Sequence, residues 1–199
     1  MINMLIIFEG ARNSGKTYLA QRASDHNNIP LYKFEFVKWF NELKLEDTSK
    51  ESHLFALGKE LQLLQANRDG ILQPIILDRG FLTVLVWGVL SKRIDFEEAI
   101  DELNKIISSG LLKNCKVFYV HGDNPNKSNR NKDNWDFRDN TSDEKTLYEK
   151  YIQHILDCYP SYDDFSIYSF ENKFDETSII TELWYMCGIL LTLDGSEAS

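Results

Sequence analysis

The chain has 199 residues, 43% of them hydrophobic and 27% charged, which suits one compact domain whose core needs neither disulfide nor structural metal. Lys and Arg number 22 against 31 Asp and Glu, a formal net charge of −9, so the surface repels polyanions at long range and general nucleic-acid binding is not expected. Three widely spaced cysteines, Cys115, Cys158 and Cys187, form no CxxC pair and read as reduced thiols of a cytoplasmic protein.

In chain order, residues 5–8 are a short apolar run that stops at Glu9-Gly10, a strand meeting a turn with no basic leader before it. Residues 16–24 read as a helix and 31–36 as a second, weaker strand. Residues 37–68 carry a mostly helical pattern, clearest over 53–68, where Leu54, Leu57, Leu61 and Leu64 recur and Gly70 supplies a stop. Pro74-Ile75-Ile76-Leu77 is a strand buried on both faces, followed by helices over 81–90 and 96–108 and another strand over 116–120. Residues 122–143 are rich in Asn, Asp, Lys and Arg and poor in aliphatics, the composition of a polar lid. A helix over 147–158, a strand over 166–170 and a last helix over 176–190 complete the chain. The apolar stretch 183–193 is too short to span a bilayer, so no membrane association is expected. Strands alternating with helices predict an α/β fold with a parallel five-stranded sheet, helices on both faces and a polar lid, in one domain.

Two motifs carry chemistry. Gly10-Ala11-Arg12-Asn13-Ser14-Gly15-Lys16-Thr17 matches G-x-x-x-x-G-K-[ST] at every fixed position and lies between a strand and a helix, the context that motif requires. The glycines let backbone N–H groups turn toward phosphate oxygens while the following helix aims its positive end at them. Lys16 then reaches the β- and γ-phosphates of ATP, and Thr17 offers a hydroxyl to Mg2+. Asp78-Arg79 stands at the end of a buried strand, where parallel sheets open into the ligand crevice. The carboxylate there can hold magnesium and the guanidinium can neutralise a phosphate in transfer; the alternative is an ion pair capping a helix over 80–83.

These motifs together resemble the thymidylate kinase family of P-loop nucleoside monophosphate kinases. Phe8-Glu9-Gly10 with the loop is similar to that family's F-E-G-x-D-G-x-G-K-[ST] opening. Asp78-Arg79-Gly80-Phe81-Leu82-Thr83-Val84-Leu85-Val86-Trp87 is similar to its D-R-Y-x-x-S-x-x-A-Y segment, and Leu63–Arg68 to its L-L-F-[SA]-A-[ND]-R helix. The resemblance implies a P-loop kinase fold in which Gly10 to Thr17, Asp78 and Arg79 bind ATP, magnesium and the phosphates in transfer. It further implies that Arg68 faces the acceptor base, that Trp87 packs near the acceptor sugar, and that lid residues Arg130, Lys132 and Arg138 close over the triphosphate. The sequence departs from the family on the acceptor side: Arg12 stands at the loop aspartate, Leu64 near the base-stacking Phe, and Phe34 at the second-strand Arg.

Two acceptor classes stay open. A nucleotide, first of all a pyrimidine deoxynucleoside monophosphate, needs its charge neutralised, and Arg12, Arg68 and Arg79 are available for that. A nucleoside, or a hydroxylated base including one within DNA, needs a general base, and Glu35 after the second strand fits that role. Phe36, with Trp39 and Phe40, stacks on a base or belongs to the core. A third, non-catalytic class, a nucleotide-binding switch, would lack one of Lys16, Thr17 and Asp78, and all are present. The acceptor is a small molecule in the first reading, and a homodimer is allowed.

Overall fold

The computed structural model describes residues 4–46, 49–122, 141–158 and 165–172. The segment Arg130, Lys132 and Arg138 belong to, and the helix expected over 176–190, lie outside the described residues.

Five strands form one sheet: β1 (Leu5–Glu9), β2 (Leu31–Lys33), β3 (Ile75–Asp78), β4 (Cys115–His121) and β5 (Phe165–Glu171). Their order is β2-β3-β1-β4-β5, and every pair is parallel. The register sets Phe8 beside both Asp78 and Phe118, and Lys33 beside Asp78, so the strands end at a common edge. β1 is central and buried throughout, as a strand with helices on both its faces must be. Ile6 and Phe8 pack with Leu19, Ala20 and Ala23 of α1 (Lys16–Asn27). Leu5 and Ile7 point the other way, into a larger core shared with α2 (Phe36–Leu43), α3 (Lys50–Arg68), α4 (Phe81–Leu90), α5 (Phe96–Ser108) and α6 (Thr141–Cys158).

This connectivity has a chemical consequence. The chain leaves β1 through α1 on one face to reach β2, and leaves β3 through α4 and α5 on the opposite face to reach β4. Connections that part in opposite directions open a crevice at the carboxyl ends of β1 and β3. The phosphate loop follows β1, and Asp78 ends β3.

Most predicted elements coincide with the observed ones, and α4 and α5 do so to the residue. Three differ. The second strand stops at Lys33 instead of running to 36, because Phe36 and Phe40 turn inward at helical spacing and stack on each other, and Phe36 also stacks on Phe34. The helical stretch 37–68 divides into α2 and α3, the second opened by Ser49, whose side chain accepts the Ser52 N–H. The helix expected from 147 begins at Thr141, so 141–143 are helix rather than lid; Asp143 and Glu144 suit the positive end of its first turn.

Leu64 is fully buried in the larger core. Leu64→Ala should therefore cost about 2–5 kcal/mol, read as a lower urea midpoint at unchanged slope.

Candidate functional site

The phosphate loop is shaped by backbone that few residues tolerate. Asn13 and Gly15 have φ of 65° and 87°, the left-handed region where Asn and Gly are the least strained residues. Gly10, at φ 145°, lies so close to β4 that a Cβ there would come within 2.1 Å of the Val120 carbonyl oxygen. The carbonyl of Ala11 accepts the Ser14 N–H at 3.3 Å, and Asn172, just beyond β5, donates its side-chain amide to the Ser14 carbonyl at 2.9 Å. Gly15 caps α1 without a side chain, which leaves the first N–H groups of that helix for an anion. Ser14 Oγ is buried with no hydrogen-bond partner among the described residues.

Lys16 is 4% exposed, and its ammonium rests on the Ala11 carbonyl at 3.1 Å. Burial, and then the Arg79 charge, hold its pKa down to about 8, against the opposing pull of Glu144, Asp78 and Glu9. Thr17 Oγ1 donates to Asp78 Oδ1 at 3.2 Å. One hydroxyl and one carboxylate oxygen thus meet beside the loop, hard oxygen donors of the kind magnesium takes. These residues fit a triphosphate with its magnesium.

Arg79 and aromatics wall the crevice on its other side. Arg79 has φ 81°, a strained conformation for a residue with a side chain, of the sort that clusters at working sites. Its N–H donates to the Phe8 carbonyl at 3.0 Å, and its guanidinium lies 4.8 Å from the Trp87 ring centre. Trp87 in turn meets Phe36 at 6.2 Å. Glu35 precedes α2, two residues beyond the end of β2. Its side chain is 57% exposed and pairs with Lys38 at 3.1 Å.

The structure brings Lys16, Thr17, Asp78, Arg79 and Trp87 to one edge of the sheet, with Arg12 in the loop and Glu35 and Phe36 just past β2. Two expected acceptor residues are not brought there. Arg68 ends α3 at the other end of the molecule, where it pairs with Asp69 and donates to the Ser109 carbonyl; Asn67 beside it donates to the Lys113 and Asn114 carbonyls, just ahead of β4. Leu64 is enclosed in the core, with no surface left for a base. Arg12 is engaged at 3.2 Å by Glu144 of α6.

A buried acidic group lies beneath the loop, and the sequence reading assigned it no role. Glu9, the last residue of β1, is 0% exposed. Its carboxyl accepts the Leu82 and Thr83 N–H groups at 3.0 and 3.4 Å and the Thr83 hydroxyl. Since that hydroxyl donates to Glu9, the Tyr148 hydroxyl donates to Thr83 at 2.7 Å. Glu60 of α3 is also 0% exposed, with neither oxygen hydrogen-bonded among the described residues. A Cβ on Gly80 would fall 3.1 Å from Glu9 Oε1 and 3.7 Å from Glu60 Oε2. Burial outweighs the donors on Glu9 and pushes it up to about 7; burial and then the Glu9 charge push Glu60 well above the usual carboxylate range. Only the F-E-G triplet hinted at Glu9; nothing in the sequence marks Glu60, Glu144, Tyr148 or Asn172.

No protein-family model matches the chain, and no curated protein matches it by sequence. Solved structures do. The thymidylate kinase of Candida albicans is 20% identical with a TM-score of 0.58, over 94% of this chain and 92% of that one. The YorR protein of Bacillus subtilis, solved with phosphorylated GDP, is 17% identical with a TM-score of 0.60, over 94% and 95%. The deoxyadenosine kinase of M. mycoides, solved with bound dCTP, is 18% identical with a TM-score of 0.58, over 93% and 99%. The fold is therefore that of the P-loop nucleotide kinases. Among the described residues no helix is long and apolar enough to cross a membrane.

Glu9 binds its proton more tightly in the folded chain than in the unfolded one. Stability should thus fall as pH rises from about 4.5 to about 7, by on the order of 3 kcal/mol from this group. Urea unfolding across that range should show the decline, and Glu9→Gln should lessen it by the share due to Glu9, leaving that of Glu60.

Proposed function

We propose that this chain is a phosphotransferase that binds ATP with magnesium at the phosphate loop and passes the terminal phosphoryl group to a nucleotide-class acceptor. The observation that carries this is the meeting of buried Lys16 with the Thr17–Asp78 pair at the crevice between β1 and β3. A degenerate nucleotide-binding loop would have no need to bury an ammonium there without a carboxylate hydrogen-bonded to it.

In this reading the loop N–H groups and the start of α1 bind the phosphates, and Lys16 neutralises charge at the β–γ bridge. Thr17 and Asp78 hold magnesium, which when bound supplies further positive charge to the triphosphate. The acceptor oxygen forms a bond to the γ-phosphorus, the bond from that phosphorus to the bridging oxygen breaks, and ADP leaves. Arg79, fixed by its stacking on Trp87, faces the transferring group.

The first acceptor reading is a pyrimidine deoxynucleoside monophosphate, supported by Arg79 on the acceptor side and by the fold. A second is favoured by two observations. Arg68 lies away from the site, and Glu35 stands exposed past β2. One arginine beyond the phosphate loop and a carboxylate suit a neutral hydroxyl acceptor, a nucleoside or a hydroxylated base including one within DNA, whose proton must go to a base during attack.

A panel of nucleosides and nucleotides assayed for transfer of radiolabelled phosphate from ATP tests the function. Lys16→Ala should lower transfer on the order of 100–1,000-fold with the cooperative melt retained. More than a tenth of the wild-type rate in that variant would sink the assignment. Glu35→Gln separates the acceptors. A loss in kcat of roughly a hundredfold or more identifies a hydroxyl acceptor; a change confined to acceptor KM identifies a phosphate.

A further inference from the structure

Asn172 has no part in the function proposed above, yet it is 3% exposed and reaches the phosphate loop from 158 residues along the chain. It stands one residue beyond β5, and its side-chain amide donates to the Ser14 carbonyl at 2.9 Å. The helix that follows makes no claim on that carbonyl. Its hydrogen bonds begin one residue later, where the Leu19 N–H meets the Gly15 carbonyl at 3.1 Å.

The peptide joining Ser14 to Gly15 is planar and trans, so its C=O and N–H point in opposite directions. With the carbonyl turned to Asn172, the Gly15 N–H faces away from it, at the end of α1 where an anion is best received. A flip of this peptide would turn a carbonyl oxygen toward the anion instead. Gly15, at φ 87° and without a side chain, would resist that flip little. The Asn172 backbone, by contrast, is firmly placed. Its N–H donates to the His121 carbonyl at 2.7 Å, and a Cβ on Gly122 would come within 2.4 Å of its carbonyl oxygen. The ends of β4 and β5 are thus fastened by main-chain contacts, and the Asn172 side chain carries this anchorage on to the loop.

We propose that Asn172 is a positioning residue of the phosphate site: its amide holds the Ser14–Gly15 peptide in the orientation that presents the Gly15 N–H to the phosphates of ATP. The proposal rests on the phosphate-loop reading of the preceding subsection. Asn172 touches no phosphate in it and acts through the loop.

The test is a calorimetric titration with ATP and magnesium for wild type, Asn172→Leu and Asn172→Ala. Leu103→Ala, in the core beneath α5, serves as a destabilised control. Leu has the branching of Asn without its donor. Both Asn172 variants should bind ATP roughly ten- to a hundredfold more weakly, the loss expected of one hydrogen bond to a charged group, while urea unfolding stays cooperative. Leu103→Ala should bind as wild type does. A packing role would spare Asn172→Leu, so wild-type affinity in whichever Asn172 variant folds overturns the proposal. An equal loss in Leu103→Ala overturns it too, because affinity would then follow stability and not the donor. Failure of both Asn172 variants to melt cooperatively also overturns it, by making Asn172 a requirement of the fold. A wild type that takes no ATP removes the phosphate-loop reading itself, whereas binding that the loss of the amide leaves unchanged removes this proposal alone.

Discussion

The Glu9 carboxyl, taken wholly out of water at the end of the central strand, ties the elements around the loop together. It accepts two N–H groups from the first turn of α4 and the Thr83 hydroxyl, which is fastened in turn to Tyr148 of α6. Donors that converge on a carboxyl at such a depth offset its loss of water. Here they fix the angle at which α4 leaves Arg79 and Gly80. That angle places Trp87, two turns into α4, under the Arg79 guanidinium. Gly80 follows from the same crowding, since a Cβ there would come within 2.5 Å of an Ile7 methyl group.

Charge at this end of the sheet is distributed so that cations stand forward and carboxyls stand behind. Lys16, Arg12 and Arg79 are the cations in and beside the loop. Glu9, Glu60 and Glu144 are enclosed beneath or beside them. The chain carries a net charge of −9, yet beside the loop desolvation draws the Glu9 and Glu60 carboxyls toward their neutral forms while Lys16, though weakened, still ionises near neutral pH. The cationic side of this arrangement suits a transferring phosphoryl group, whose charge is met by groups already in place.

The phosphate-loop side and the aromatic side of the crevice differ in how they were built. Gly10 to Thr17 and Asp78 follow one local rule each: a strand that ends, a turn in the left-handed region, a helix that begins. The other wall instead comes from an aromatic cluster, Phe34, Phe36, Trp39 and Phe40, that packs on itself and on Trp87. Those rings end β2 early and start α2, and this leaves Glu35 at the turn between them.

What the sequence determined by itself was the phosphate loop, the strand-end Asp78-Arg79 and the alternation that makes a parallel α/β sheet, because each rests on residues that are neighbours in the chain. Periodicity and turn chemistry are local, and so α4 and α5 could be read to the residue. Tertiary structure alone decided which end of α3 faces the crevice. The same helix that resembles an acceptor-binding segment carries Arg68 to the opposite end of the sheet, beside the turn ahead of β4, because strand order and helix length, not motif spelling, set where a helix terminus falls. The Arg12–Glu144 pair, the Glu9–Thr83–Tyr148 chain and the approach of Glu60 to Gly80 likewise join residues far apart in sequence. Their physical cause is burial, which forces polar groups to find partners wherever the fold brings them, and no spacing in the chain records where that will be.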